Sequence, residues 1–305
     1  MSPSDRVLAH SPRFWPHRPL IMGIVNVTPD SFSDGGRHYH WQDAVSLGLR
    51  MAQEGADLLD IGGESTRPGA PAVSPEEELR RVLPVVRVLK GELNIPLSVD
   101  TRKAAVAKEA LACGAHWVND VSALGDPAMA EVVAEAGAGV ILMHMQGEPA
   151  TMQKDPHYQD VVEEIASALQ SRAAVAQEAG IDSSRIWLDP GIGFGKTLQH
   201  NLRIFAALDR FARLGYPVVL GASRKRFIAQ LHDSEQSADR LAGSLAAAGL
   251  CLRLRRSVVR VHDVAATRQY LTVRRALTAG APLPWEPSGL DRIEEYPAPT
   301  THDEE

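Results

Sequence analysis

The residues of this sequence that are best able to do chemistry follow short apolar runs. Eight such runs occur, and each leads directly into hydrogen-bonding or ionisable residues. These residues are Asn26, Asp100, Asn119, His144 and Asp189, together with residues 64–67, 223–225 and 260–263. A single Asp or Ser in such a place is often the N-cap of a helix, which is one interpretation of Asp263. Eight such positions together indicate an active site.

The charges of these residues divide the predicted site. Asp100, Asn119 and Asp189 offer acceptors and one amide, a set that suits a planar heterocycle with several N–H donors, and Lys225 could complete that edge. Met143 is expected to line the ring pocket.

The remaining polar residues suit an anion and a hard cation. Arg67, Arg260 and His262 are able to bind phosphate or carboxylate. Asn26, with Asp34 and Asp100, offers the oxygen ligands that Mg²⁺ takes, usually shared with substrate phosphates. Asn and Asp in glycine-rich loops also commonly just form turns, so the metal interpretation is open at this point.

The apolar runs themselves predict the elements that position these residues. Runs such as LIMGIVNV from Leu20 and PLSVD from Pro96 are continuous, as in parallel strands buried on both faces. The segments between them are long enough for crossover helices, and Ser74 followed by Pro75 is typical of a helix start. Eight consecutive β/α units predict a single-domain α/β fold, a closed (β/α)8 TIM barrel whose active site lies at the C-terminal ends of the strands.

Composition limits the classes of function. A net charge of −6 gives no basic field for nucleic acid, and no run of about 18 apolar residues predicts a membrane span. The two cysteines, Cys113 and Cys251, form no metal or disulfide pattern, so a cytoplasmic enzyme acting on small molecules is expected. The barrel is expected over residues 19–280, with an N-terminal tail at 1–18 and a C-terminal tail at 281–305.

Several of these segments carry a more specific pattern. From about Leu20 to about Ala279 the sequence resembles the bacterial dihydropteroate synthases, a family of pterin-binding TIM barrels. The matching motifs are GIVNVTPDSFSDGG at 23–36, GGESTRPG at 62–69, SVDT at 98–101, NDV at 119–121, MHMQG at 143–147, DPGIGFGK at 189–196, SRK at 223–225 and RVHD at 260–263.

The resemblance implies a reaction in folate biosynthesis. The amine of p-aminobenzoate would displace pyrophosphate from 6-hydroxymethyl-7,8-dihydropterin diphosphate to give 7,8-dihydropteroate, with Mg²⁺ as cofactor and a homodimer as the expected assembly. The family is thought to expel pyrophosphate first, in an SN1-like step that leaves a pterin cation. Asp100 and Asp189 would stabilise this cation, and Arg260 and His262 would neutralise the leaving group.

The resemblance also assigns roles to individual residues. Those expected to bind the pterin diphosphate are Thr66, Asp100, Asn119, Met143, Asp189, Lys225, Arg260 and His262. Thr66, Arg67, Pro68 and Phe194 would surround p-aminobenzoate. Asn26 would be the magnesium ligand. The residues expected to act in catalysis are Asp34, Asp100, Lys225 and Arg260.

Two other functions stay open on the sequence alone. One is a pterin-binding barrel that passes a methyl group to a corrinoid protein, although the S-R-K and T-R-P motifs argue against it. The other is a relative that binds pterin without turnover. The chain also departs from the family at residues 253–257 (RLRRS), where a Gly-Ala turn is common, and at Arg226, where some relatives carry serine.

Overall fold

Eight parallel strands close on one another in sequence order to form a barrel, which confirms the predicted fold. This computed structural model describes residues 18–28, 41–65, 70–148, 151–232 and 237–278. The strands are β1 Leu20–Asn26, β2 Leu58–Gly62, β3 Leu97–Asp100, β4 Trp117–Asp120, β5 Gly139–Met143, β6 Ile186–Asp189, β7 Val218–Leu220 and β8 Ser257–Val261.

Helices follow the strands and cover the outside of the barrel. Among the described residues they are α1 Trp41–Gln53, α2 Pro75–Glu92, α3 Ala104–Ala112, α4 Met129–Glu135, α5 Val161–Glu178, α6 Leu198–Ala206, α7 Leu208–Ala212, α8 Arg226–His232, α9 Leu241–Gly249 and α10 Val264–Thr278. The predicted start of α2 is confirmed, since the Ser74 hydroxyl accepts a hydrogen bond from the Glu77 N–H and Pro75 is the first helical residue. None of the described helices is long and apolar enough to cross a membrane.

The barrel interior consists of an apolar layer beneath a polar one. The apolar layer comprises Leu20, Met22, Leu58, Trp117, Ile141, Trp187, Val219 and Val258. Because side chains on one face of a strand recur every second residue, the next inward positions on four of these strands are Asp60, Asn119, Asp189 and Arg260. On each of these four strands, the packed core and the polar end of the barrel are therefore only two residues apart.

The strand register brings the predicted site residues side by side. Gly62 on β2 pairs with Asn26 on β1 and with Asp100 on β3, and Asp100 pairs in turn with Asn119 on β4. On the other side of the barrel, Met143 pairs with Asp189. Residues far apart in the sequence thus meet at one edge of the closed sheet.

Strand β7 ends at Leu220, so residues 223–225 lie in the turn that follows the strand and not on the strand itself. Arg224 has a φ of 57° there, which an extended strand does not allow. Strand β8 likewise ends at Val261, so His262 and Asp263 lie in the connection to α10.

The chain before the first strand is attached to the barrel at Arg18. This residue donates two hydrogen bonds, of 2.6 and 2.9 Å, to the Asp57 carboxylate before β2. The rest of the predicted N-terminal tail and the whole C-terminal tail, 281–305, lie outside the described residues.

Candidate active site

The predicted site residues Asp100, Asn119, Asp189 and Arg260 meet at the polar end of the barrel interior. All four lie on strands, which hold a side chain more rigidly than loops do. The guanidinium of Arg260 donates from Nη2 to Asp100 Oδ2 at 2.7 Å, so strands β8 and β3 are linked across the interior. The residues predicted to bind the heterocycle and the arginine predicted to bind an anion therefore lie in one pocket.

Asp60, in the middle of β2, is part of the same group but is not among the residues that the sequence predicts for it. Its Oδ2 accepts from Arg260 Nε at 2.6 Å and from Asn119 Nδ2 at 2.9 Å. The side chain is fully buried. The available signal is a single ionisable residue inside the apolar run of β2, since an unpaired buried carboxylate is too costly to be incidental.

Burial of these charges perturbs their protonation. Loss of water raises the pKa of Asp100 to about 7, because burial and the nearby carboxylate of Asp60 outweigh the attraction of Arg260. Burial also works against the charge of Arg260, but its pairing with Asp60 and Asp100 prevails and raises the pKa of the guanidinium. Asp100 thus titrates close to neutral pH beside a permanent cation.

Asp189, at the end of β6, and Lys225, which follows β7, are a further pair of opposite charges in the pocket. Burial raises the pKa of Asp189, with Lys225 opposing that rise, and its Oδ1 accepts from the Gly191 N–H at 2.7 Å. Desolvation lowers the pKa of Lys225 to about 8, although Asp189 works in the other direction. Asp189 and Lys225 thus shift each other's pKa through their charges, and both can still bind a ligand.

A glycine-rich loop after β6 supplies the surroundings of Lys225. The ammonium donates to the carbonyl of Ile192 and lies 4.4 Å from the centroid of the Phe194 ring. Gly191 has a φ of 71°, and a Cβ there would collide with the carbonyl oxygen of His144. Phe194, predicted to contact p-aminobenzoate, is therefore next to the predicted pterin-binding lysine.

His144 and the buried Lys196 connect two of the loops around the pocket. Lys196 Nζ lies 3.1 Å from His144 Nδ1 and donates to the Phe194 carbonyl at 2.8 Å. Burial, reinforced by Lys196, lowers the pKa of His144 to about 3, and burial lowers the pKa of Lys196 itself. This arrangement agrees with a structural interpretation of His144. The sequence analysis assigned no role to Lys196, although it is the last residue of the matching DPGIGFGK motif.

His262 is held at the end of β8 by Ser223. The Ser223 hydroxyl accepts from the backbone N–H of His262 at 3.2 Å and lies 3.1 Å from its Nδ1. Arg224 is directed elsewhere, because its Nε donates to Asp263 at 2.9 Å. The carboxylate of Asp263 therefore binds an arginine of the preceding β/α unit, in addition to any N-cap role.

Asn26, the predicted magnesium ligand, is among the described residues. It is partly exposed at the end of β1, and its register partner Gly62 separates it from Asp100. Within the described residues, no three side chains of His, Cys, Asp or Glu form a metal site by themselves. The oxygen donors present suit Mg²⁺ only if substrate oxygens and water complete its shell.

Four predicted residues cannot be placed. Asp34 falls in residues 29–40, and Thr66, Arg67 and Pro68 fall in residues 66–69, both of which lie outside the described residues.

Comparisons with known proteins identify the family. A family model described as pterin binding enzyme matches residues 22–262. The dihydropteroate synthase of Escherichia coli (strain K12) is 46% identical over 258 residues, covering 85% of this chain and 91% of that relative. The enzyme of the same name from Neisseria meningitidis serogroup C is 49% identical over 264 residues, covering 85% and 93%.

Solved structures agree with this assignment. The Xanthomonas albilineans dihydropteroate synthase with 4-aminobenzoic acid is 50% identical, with a TM-score of 0.81, and the match covers 92% of this chain and 99% of that one. The same organism's enzyme in complex with 7,8-dihydropteroate has a TM-score of 0.77 at 49% identity, covering 86% and 94%. The family expected from the sequence is confirmed: the chain belongs to the pterin-binding enzymes and, among them, to the dihydropteroate synthases, transferases of folate biosynthesis.

Proposed function

We propose that the polar end of the barrel condenses 6-hydroxymethyl-7,8-dihydropterin diphosphate with p-aminobenzoate. The products are 7,8-dihydropteroate and pyrophosphate. The observation that carries the proposal is the cluster of Asp100, Asn119 and Asp189 around Arg260, because three buried acceptor groups suit the N–H donors of a pterin ring. The solved relative in complex with 7,8-dihydropteroate supports the same product.

The pterin ring is assigned to the wall formed by β3 to β6. Asp100, Asn119 and Asp189 accept from its amino group and ring nitrogens, and the half-buried Lys225 donates to its carbonyl edge. Met143, buried at the end of β5, supplies an apolar contact to the ring face.

The diphosphate is assigned to the side of the pocket with Arg260 and His262. A magnesium ion held by Asn26, once bound, would neutralise phosphate charge there. Arg260 offers the hydrogens that its two carboxylate partners leave free, and His262 is fixed by Ser223.

The reaction is assigned an SN1-like course. The bond between the hydroxymethyl carbon and its oxygen breaks, the electron pair leaves with pyrophosphate, and the positive charge spreads into the pterin. Asp189 and ionised Asp100 stabilise that charge in a site shielded from water. The amine nitrogen of p-aminobenzoate then bonds to the carbon and loses a proton, which the released pyrophosphate can accept. Asp34, Asp100, Lys225 and Arg260 are the residues proposed to act.

The p-aminobenzoate is assigned to Phe194 and to Thr66, Arg67 and Pro68. Phe194 supports this because its ring lies beside Lys225, at the border of the proposed pterin pocket. The solved relative with 4-aminobenzoic acid supports the second substrate.

Pyrophosphate release tests the proposed reaction. Supplying the pterin diphosphate, p-aminobenzoate and Mg²⁺ to the full chain should release pyrophosphate and form dihydropteroate in equal amounts. Slow release without p-aminobenzoate would support the SN1-like order, and strict dependence on the amine would contradict it. Pterin binding with no release above background would favour a non-catalytic binding protein. Methyl transfer to a corrinoid protein in place of condensation would favour that alternative.

The division of the pocket is tested by two substitutions. Asp189→Ala should abolish pterin binding, whereas Arg67→Ala should mainly raise the KM for p-aminobenzoate. Titration of each variant with 6-hydroxymethylpterin, an unreactive probe, separates the two effects from turnover. Equal loss of pterin binding in both variants would contradict the division.

A homodimer in the cytoplasm is the proposed setting. The exposed Val273 and Leu277, one turn apart on α10, support association with a second copy, and Cys113 and Cys251 are both free thiols. Sedimentation of the full chain at micromolar concentration should give the mass of two chains, and a monomer at that concentration would contradict the dimer.

A further inference from the structure

Asp60 is a fully buried carboxylate in the middle of strand β2, below the ends of the strands. We propose that it is a positioning residue of the pterin pocket, which sets the orientation of both Arg260 and Asn119 through a single oxygen, Oδ2. The proposal rests on the proposed function and assigns to Asp60 the hydrogen-bonding pattern that the pocket presents to its heterocycle.

The contact with Arg260 fixes the plane of the guanidinium. Nε donates to Asp60 at 2.6 Å and Nη2 donates to Asp100 at 2.7 Å, so carboxylates on β2 and β3 hold two neighbouring donors of one planar group. In the barrel, β1 lies between β2, which carries Asp60, and β8, which carries Arg260. The guanidinium can therefore rotate only if it loses a charged partner, and the ligand meets its remaining hydrogens in one orientation.

The contact with Asn119 decides which end of its amide faces the ligand. The Asp60 oxygen accepts a hydrogen bond from Asn119, which turns its Nδ2 towards Asp60, at 2.9 Å. The carbonyl Oδ1 of Asn119 is then the atom left for the pocket. With the carboxyl oxygens of Asp100 and Asp189 it makes an oxygen-lined edge, which suits a ring that presents amino and N–H donors.

Asp60 is unfavourable for folding by itself. Its Oδ1 has no hydrogen-bond partner among the described residues, and its neighbours on β2 are Leu58, Leu59 and Ile61. Buried ion pairs commonly contribute little net stability compared with apolar packing. A role in orienting Arg260 and Asn119 explains a charge at this position better than a role in the core does.

The test compares Asp60→Asn with Ser98→Ala in the full chain. Ser98 is the register partner of Asp60 on β3, is equally buried, and its hydroxyl has no partner among the described residues, so its removal should disturb no contact. The neutral amide at position 60 weakens the hydrogen bond from Arg260. It also allows the Asn119 amide to flip, so that its oxygen faces position 60.

For Asp60→Asn, we expect the Kd of 6-hydroxymethylpterin to rise about tenfold or more, in calorimetry, and the kcat/KM for the pterin diphosphate to fall about a hundredfold. The KM for p-aminobenzoate should stay within about twofold, and Ser98→Ala should match the wild-type chain in all three quantities. Asp60→Glu keeps a carboxyl group but moves it, so its pterin affinity should lie between those of Asp60→Asn and the wild-type chain. If Asp60→Asn does not fold, Asp60→Glu replaces it in the test.

Three results would overturn the proposal. The first is wild-type pterin affinity in Asp60→Asn or in Asp60→Glu. The second is an equal loss of affinity for both substrates in Asp60→Asn. The third is a double variant, Asp60→Asn with Asn119→Ala, whose loss of pterin affinity equals the product of the two single losses. Because Asp60 acts through Asn119 and Arg260, the double variant should lose less than the product of the single losses. A wild-type chain that binds no pterin would instead defeat the proposed function.

Discussion

Two clusters of buried charge in this barrel each contain a cation shared by two carboxylates, and they lie at different positions. In the pocket cluster, Arg260 bridges Asp60 and Asp100 in the barrel interior. In the outer cluster, Lys103 at the start of α3 bridges Glu64, which follows β2, and Glu78 of α2. Each cluster thus has one cation shared by two carboxylates, and one of the two acids is completely buried. In the outer cluster Glu64 also pairs with Arg102, at 3.4 Å.

Burial alone does not distinguish a functional cluster from a structural one. The bridging side chains are 19% exposed for Arg260 and 18% for Lys103. What differs is where the cluster lies and how its acids respond. The outer cluster joins helices to the loop after β2. Burial works against the charge of Glu64, but Lys103, the Val73 N–H and Arg102 together prevail and lower the pKa of that carboxyl. In the pocket cluster, burial instead raises the pKa of Asp100 to about 7.

The largest effect is expected from Arg260→Ala, which removes the cation of the pocket cluster. Asp60 and Asp100 would lose their partner and the diphosphate would lose a donor, so kcat/KM for the pterin diphosphate should fall about a thousandfold, or ~4 kcal/mol. Steady-state pyrophosphate release measures this. A loss below about tenfold would show that the pocket cluster is not central to the reaction.

Lys103→Met should act mainly on folding. It leaves Glu64 and Glu78 without their shared cation, and the free energy of unfolding should fall by about 3 kcal/mol in denaturant titrations. Arg80→Ala is the control, because Arg80 pairs with Glu77 while 77% exposed and should change stability by less than about 1 kcal/mol. Weakened pterin binding at unchanged stability would reverse the roles of the two clusters.

The smallest effect concerns pH. In the folded chain Asp100 keeps its proton up to about pH 7, whereas the unfolded carboxyl ionises near pH 4. The folded state therefore binds more protons in this window, and the free energy of unfolding should fall as the pH rises from about 4 to about 7. Asp100→Asn should flatten that slope over the window. A steeper slope in the variant would contradict the assignment.

The barrel and the strand-end residues could be predicted from the sequence because they depend on local pattern. Continuous apolar runs identify strands buried on both faces, and the polar residues that follow Val99, Val118 and Leu188 at the strand ends do meet in the structure. Parallel strands put their C-terminal ends at one edge, so no long-range information was needed for these residues.

The residues that could not be predicted depend on long-range contacts. Asp60 lies inside an apolar run, and only the barrel register shows that it faces Arg260, 200 residues away in the chain. Lys196 acts through a contact with His144 that no spacing indicates. Lys103 looks like an ordinary helix-start residue until Glu64 and Glu78 are brought to it.

The most direct test exchanges the cations of the two clusters. Arg260→Lys and Lys103→Arg each keep the charge and change only its shape, from a planar fork to a point charge or the reverse. In calorimetric titration with 6-hydroxymethylpterin, Arg260→Lys should raise the Kd about tenfold or more, while Lys103→Arg should leave it within about twofold. Equal affinities for the two variants, or a loss confined to Lys103→Arg, would contradict the assignment of the pocket cluster to the ligand.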